Sequence, residues 1–254
     1  MMKETIIYEQ PLNEIIRVCL RLEQLFLQVD HQLNDLSDLG TRNLVTFIIN
    51  ILQILDRPDL KAKLAREISH HMTNLRRYGN APDIDAQKLD ALTTQLDMLS
   101  STLIESSGKI GHRLRDIELL NTLRMHLASP GGGCSFDIPM FHYWLHQPSD
   151  IRKTSILDWL NDFNEVREGV TLVLQIVRNN GKVQEKTAIH GFYQELLDPQ
   201  SNLRMIRISI AADSPAFPET SVGRHFLSVR FFTPNIFQRA EQFTGNLPFL
   251  ITYS

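Results

Sequence analysis

The sequence predicts an α+β protein with its helices first and its strands afterwards. Three observations carry that expectation. Apolar residues recur at helical spacing through most of residues 12–180. Past Gly181 the period shortens to two, as in half-buried strands. No strand-like run interrupts the helical stretch, whose sharpest break is the turn sequence Pro130-Gly131-Gly132-Gly133. Helices followed by strands indicate segregated layers, not the alternation of a parallel α/β enzyme. We therefore expect a mainly helical domain over 10–181 and a smaller antiparallel β-strand domain over 182–254. The opening ETIIYEQ has no helical stripe, so 4–9 is expected as a further strand joining the β domain.

The elements follow in order. After Pro11, Ile15, Cys19, Leu22 and Phe26 form one apolar stripe, with the helix beginning at Leu12 or Asn13. Cys19 on that stripe is expected to be buried. Thr41 is the expected N-cap of a second helix that stops near Arg57-Pro58. Asp59 caps a third, ending at Arg76, Arg77 and Gly79. Asp83 or Asp85 opens a fourth, with Leu89, Leu92, Leu96 and Leu99 as its seam. One segment, IGHRLRDIELLNTLRMHL, is expected to run to Ser129-Pro130. Asp137 and Pro139 open a short helix that stops at Pro148. Ser149 then caps one long helix closed by Asn179-Asn180-Gly181. KVQEKTAIHGFYQELL, LRMIRISIA, RHFLSVRFF and PFLITYS alternate as strands. Met205, Ile208 and Ile210 do not share one strict face, which predicts a bulge.

Composition narrows the function. At 254 residues the chain is long enough for one large domain or two modest ones. Twenty-six basic against 29 acidic residues leave a net charge of −3, which argues against a dedicated nucleic-acid binder. No run approaches the ~20 apolar residues of a membrane span. Glu4 and Glu9 interrupt the N-terminus where a secretory signal needs an apolar core, so a cytoplasmic protein is expected. Two cysteines are too few for a disulfide framework.

Several constellations carry chemistry in principle. The glycine run 131–133 could cradle a phosphate, but a P-loop needs Lys-Ser/Thr next and Cys134-Ser135 follows. Cys134 with His142 would suit a cysteine-dependent hydrolase, the alternative reading, yet no signature of such enzymes surrounds Cys134. His142 and His146 share a helix face as metal ligands do, without the glutamate that a zincin places after its first histidine. We therefore expect no catalytic residue, no metal and no cofactor.

Four strings point elsewhere: YEQPLNEIIRVCLRLE (8–23), IGHRLRD (110–116), PGGGCSFDIPMFHYWLH (130–146) and HGFYQ (190–194). In residue content and order they resemble the ZapD family of cell division proteins, from about residue 6 to about residue 232. The resemblance implies a non-enzymatic factor of the bacterial cytoplasm with a helical and a β-strand domain. It implies a homodimer that binds the C-terminal tail of FtsZ and cross-links FtsZ filaments into bundles at the midcell division ring. It implies no nucleic acid and no direct membrane insertion. The family's tail-binding surface is basic, and the matching positions are Arg21, Arg115 and His142, then Arg57 and Arg230. Where some members carry a further arginine just after the IGxxLR motif, this chain has Glu118.

Overall fold

The computed structural model describes residues 4–78, 85–105, 108–127 and 129–254. Strand β1 (Thr5–Pro11) leads into helices α1 (Glu14–Gln32), α2 (Asp38–Leu55), α3 (Leu60–Tyr78), α4 (Ala86–Glu105), α5 (His112–Arg115), α6 (Glu118–His126), α7 (Pro139–Leu145), α8 (Ser149–Asn161) and α9 (Asn164–Asn179). Strands β2 (Lys182–Ala188), β3 (Phe192–Leu196), β4 (Met205–Ala211), β5 (Phe217–Val222), β6 (Phe226–Thr233), β7 (Glu241–Gln242) and β8 (Leu247–Tyr253) complete it. The α+β order is as the sequence predicts. The chain divides into two compact units, Val18–Leu174 and a second made of Met1–Arg17 with Gln175–Ser254.

In the helical unit, α2 is the most buried element. Leu44, Val45, Ile48, Ile49, Ile51 and Leu52 are all essentially inaccessible, so apolar neighbours cover it on more than one side. Its N-cap is Ser37, whose hydroxyl accepts from the Gly40 amide, and not Thr41. Thr41 falls one turn inside the helix and is buried, because its hydroxyl accepts from Arg152 Nη1 at 3.0 Å. That guanidinium also reaches Asp38 and the Leu36 carbonyl, tying α8 to the start of α2. Asn13 caps α1, and Asp85 caps α4 through the amides of Gln87 and Lys88. Asp83 and Gly79 lie outside the described residues. On α4 the buried seam is Leu96, Leu99 and Leu103, while Leu89 and Leu92 are half-buried. Cys19 is buried as expected, and burial first, with Glu67 and Glu23 adding repulsion, pushes its thiol up to about 12.

Two expected long helices are each split in two. The 110–127 segment breaks at Asp116-Ile117, where Ile117 is extended, giving α5 and α6. The 149–181 segment breaks at Asp162-Phe163, giving α8 and α9, with Pro148 and not Ser149 at the N-cap position. The second break lets Phe163 turn into the core, 6.5 Å from the Phe26 ring. Burial of an aromatic outweighs one interrupted helical turn.

In the β unit, β1 pairs antiparallel with β4 from Thr5↔Ala211 to Pro11↔Met205, so the N-terminal strand joins the late ones. The sheet order is β1-β4-β8-β2, and a second sheet runs β3-β6-β5 with β7 beside β6. Both sheets contribute to one core, through Ile206, Ile208 and Ile251 on one side and Leu227, Val229 and Phe231 on the other. The register along β4 is unbroken against both neighbours, so the expected bulge is absent. Ile206, Ile208 and Ile210 are the inward set, and Met205 is buried where the strand begins. Sequence alternation missed β5 and β7 and ran β2 into β3, which a tight turn at His190-Gly191 separates.

That turn depends on its glycine. Gly191 has φ +69°, and a Cβ there would stand 2.0 Å from the Phe243 carbonyl oxygen. Gly131 has a similar φ of +72° with nothing within 4 Å of its Cβ position. Gly131→Ala should therefore lose only the left-handed penalty, about 1 kcal/mol. Gly191→Ala should lose on the order of 3 kcal/mol, because strain and overlap coincide. Urea denaturation of the two variants measures the difference, and equal losses would contradict it.

Candidate functional site

The helical unit contains a groove of about 480 Å³ between α1 and α2. Arg21, Gln24, Leu25 and Gln28 line it from α1, and Asn50, Gln53, Ile54 and Arg57 from the α2 side. Both sets follow i, i+3, i+4, i+7 spacing: the first is one stripe of α1, and the second is a stripe of α2 that Arg57 extends just past the helix end. The helices run antiparallel, with Asn43 meeting Gln32 at 3.5 Å near the connecting loop. Arg21 and Arg57 therefore line the end away from that loop. Leu25 and Ile54 give the groove an apolar floor, and four side-chain amides offer donors and acceptors. An extended peptide with a carboxylate fits this chemistry, because guanidinium groups bind carboxylates by paired hydrogen bonds.

Arg115 is built into the end of α2. Its Nε donates to Asp56 Oδ1 at 2.8 Å and its Nη1 to the Ile110 carbonyl at 2.6 Å. Arg124 Nη2 takes the other Asp56 oxygen at 2.5 Å, and Lys109 reaches the Asp56 carbonyl. A carboxylate at a helix C-terminus meets the negative end of the helix dipole, so these cations are what make Asp56 tolerable there. Arg115 Nη2 is buried with no hydrogen-bond partner. Arg115 thus lies one residue from the Arg57 end of the groove, half-buried and already engaged. Glu118 is the first residue of α6, where an acidic side chain suits the helix dipole.

His142 stands on the exposed face of α7, its ring 4.5 Å from that of His146. The neighbouring Phe141 ring lies under the Arg42 guanidinium, which places α7 against the early part of α2. From Arg42 to Arg57 is about 22 Å at ~1.5 Å per residue. Arg21, Arg57 and Arg115 are thus gathered at one end of α2, and His142 stands toward the other. Arg230 belongs to the β unit, exposed on β6 with its guanidinium 5.9 Å from the Phe192 ring centroid.

The glycine turn is occupied by its own chain. Asp137 Oδ2 accepts from the amides of Gly133 and Cys134, and Arg42 donates to the Gly133 carbonyl. The amides that would hold a phosphate already hold a carboxylate. The exposed Cys134 thiol donates to the Gly131 carbonyl at 3.2 Å. Among the described residues no three His, Cys, Asp or Glu side chains cluster as a metal site.

The groove residues Gln24, Leu25, Gln28, Asn50, Gln53 and Ile54 were not singled out by the sequence reading. The available signal was the pair of stripes in which amides flank one apolar residue and an arginine ends the row.

Comparison with known proteins covers most of the chain. The model of the cell division protein family ZapD matches residues 20–230. Cell division protein ZapD of Coxiella burnetii is 35 % identical, over 91 % of this chain and 90 % of the relative. That of Methylococcus capsulatus is 34 % identical over 99 % and 98 %. That of Nitrosomonas europaea is 31 % identical over 98 % and 94 %.

The two classes of arginine should separate in a stability measurement. Arg21→Ala, at an exposed position, should change unfolding free energy by no more than about 0.5 kcal/mol. Arg115→Ala should cost on the order of 2 kcal/mol, since Asp56 and the Ile110 carbonyl both lose a charged donor. Equal effects in guanidinium denaturation would remove the distinction.

Proposed function

The chain belongs to the ZapD family of cell division proteins, and from that premise we propose that it binds the C-terminal tail of FtsZ and cross-links FtsZ filaments. The observation that carries this reading is the two-arginine groove with an apolar floor, in a chain related to the family almost end to end. Arg21 and Arg57 receive acidic or C-terminal carboxylate groups of the tail, and Leu25 and Ile54 take its apolar side chains. Arg115 holds the end of α2 in place and lends positive potential there. An extended segment of about seven residues spans the distance from Arg57 toward His142. Arg230 is a separate exposed basic position, on the β unit.

Cross-linking requires two sites. One chain with one peptide groove decorates a filament, whereas a two-fold homodimer presents two identical grooves and can bridge. Filaments display many tails, so modest single-site affinity becomes firm attachment through effective concentration, and bundles stay reversible. No step of this mechanism needs a catalytic group, a metal or a cofactor. On this reading the protein acts in the bacterial cytoplasm at the division ring. Among the described residues no helix is long and apolar enough to cross a membrane.

Co-sedimentation with full-length and tail-deleted FtsZ tests the reading: bundling should need the tail. Equal pelleting with the tail-deleted polymer would overturn it. Arg21→Glu should weaken tail-peptide binding more than Arg21→Ala, because reversal adds repulsion to a lost contact. Affinity should also fall as salt shortens the Debye length from ~10 Å toward ~3 Å. Fluorescence anisotropy at two salt concentrations reads both effects. Cys134→Ser should bundle as the parent does, since its backbone amide and not its thiol holds the turn to Asp137. Loss of bundling by a folded Cys134→Ser protein would favour the cysteine-dependent reading.

A further inference from the structure

We infer that the α1–α2 groove continues into a second pocket, and that this pocket takes an apolar side chain four residues along the tail from the acid held at Arg21 and Arg57. The inference rests on the tail-binding reading above and specifies what that tail must carry. A further cavity of about 230 Å³ lies between the same two helices, lined by Leu27 and His31 of α1 and by Phe47 of α2. Gln24 and Gln28 line both cavities, so the two are continuous across one row of amides. Gln32, which meets Asn43, bounds the second pocket on the side of the connecting loop.

Core packing does not account for either apolar residue. The buried stripe of α1 is Cys19, Leu22, Phe26 and Val29, and Leu27 stands off it, 56 % exposed. Phe47 is half-buried, while its neighbours Ile48 and Ile49 are inaccessible. A lone exposed leucine means little. Here it shares a cavity with an accessible aromatic ring, and that cavity opens into a charged one. The groove is therefore graded, with guanidinium groups at one end, amides in the middle, and Leu27 with Phe47 at the other. Side-chain amides carry both a donor and an acceptor, so they pair with the N–H and C=O of an extended backbone whatever its sequence. Specificity then falls to the two ends.

Helix geometry sets the spacing. Arg57 to Phe47 is about 15 Å along α2 and Arg21 to Leu27 about 9 Å along α1, at ~1.5 Å per residue, so the ends are about 12 Å apart. An extended chain rises ~3.3 Å per residue and sends successive side chains to opposite sides. Four residues cover about 13 Å and return the side chain to the same side, whereas three turn it away. The residue midway, two from the acid, falls on Leu25 and Ile54. The tail that fits reads acid, any residue, apolar, any residue, apolar, in either chain direction.

Fluorescence anisotropy with the FtsZ tail peptide and the full-length chain tests this. Leu27→Ser should weaken binding on the order of fivefold through lost apolar burial. Phe47→Leu, which keeps an apolar residue on α2, should weaken it in the same direction by less. Salt separates the two ends: the Arg21→Ala loss should shrink as ionic strength rises, and the Leu27→Ser loss should not, because apolar contact is not screened. Double-mutant cycles then locate the partners, since residues in contact are non-additive and distant ones add. With each tail residue truncated singly to alanine, the one coupled to Leu27→Ser should be apolar and lie four positions from the acid coupled to Arg21→Ala. Coupling to no tail residue, or to one at another separation, overturns the second pocket and leaves the tail-binding reading standing. Undiminished binding by Leu27→Ser does the same. A parent that binds no tail, or whose binding Arg21→Glu leaves unchanged, overturns both. Should circular dichroism show Phe47→Leu misfolded, the exposed Leu27→Ser decides alone.

Discussion

The negative end of a helix dipole repels a carboxylate, yet Asp56 caps the C-terminus of α2, the most buried helix of its unit. The conflict is resolved by importing cations: Arg115 and Arg124 bind the two carboxylate oxygens and Lys109 takes the carbonyl. That requirement shapes much of what surrounds it. Arg115 must come from a short α5, its chain bent back so that the same guanidinium reaches the Ile110 carbonyl. Arg124 must come from α6, which is why the segment between them breaks at Ile117 and does not continue as one helix. One acid in an awkward place thus holds two helices and leaves a positive environment beside Arg57.

The same constraint separates arginines that look alike in sequence. Arg152, Arg113 and Arg115 are committed to particular carboxylates and carbonyls, and their charge serves the fold. Arg21 is exposed beside an apolar floor and has no carboxylate partner among the described residues. A surface arginine in water contributes little to stability, so its value lies in what approaches it. The groove therefore sets the exposed Arg21 and Arg57 beside two arginines, Arg115 and Arg124, that Asp56 already fixes.

Legibility in sequence followed the range of the interaction. Local periodicity was enough for α1, α3 and α7, and for the inward set of β4. Caps were less secure: Thr41 had the right chemistry, but Ser37 lies where the chain turns, and a buried Arg152 claims the Thr41 hydroxyl. The splits at Ile117 and Phe163 were invisible because each follows from a distant partner, Asp56 in one case and Phe26 in the other. β5 escaped notice because Pro218 and Glu219 interrupt its alternation. At the candidate groove, Arg21 could be named from a motif and Arg57 only through the wider family resemblance. Their common groove could not, since it depends on α1 and α2 lying antiparallel, and neither could the engagement of Arg115 with Asp56. Where α7 meets α2, and hence where His142 stands, also lay beyond any periodicity.

The pairing of β1 with β4 has a consequence in time. Thr5 faces Ala211, so a strand made among the first residues has no partner until more than two hundred more have been added. At ~5–20 residues per second, the ribosome leaves that strand waiting for about 10–40 s. During this interval Ile6, Ile7 and Tyr8 are an unpaired β-prone segment, while the helices of Val18–Leu174 can already form from contacts closer in sequence. The nascent chain is thus most exposed to mispairing at its N-terminus, and a holdase that masks short apolar strands would act there first. Moving the first strand to the far end of the gene by circular permutation would remove the wait altogether.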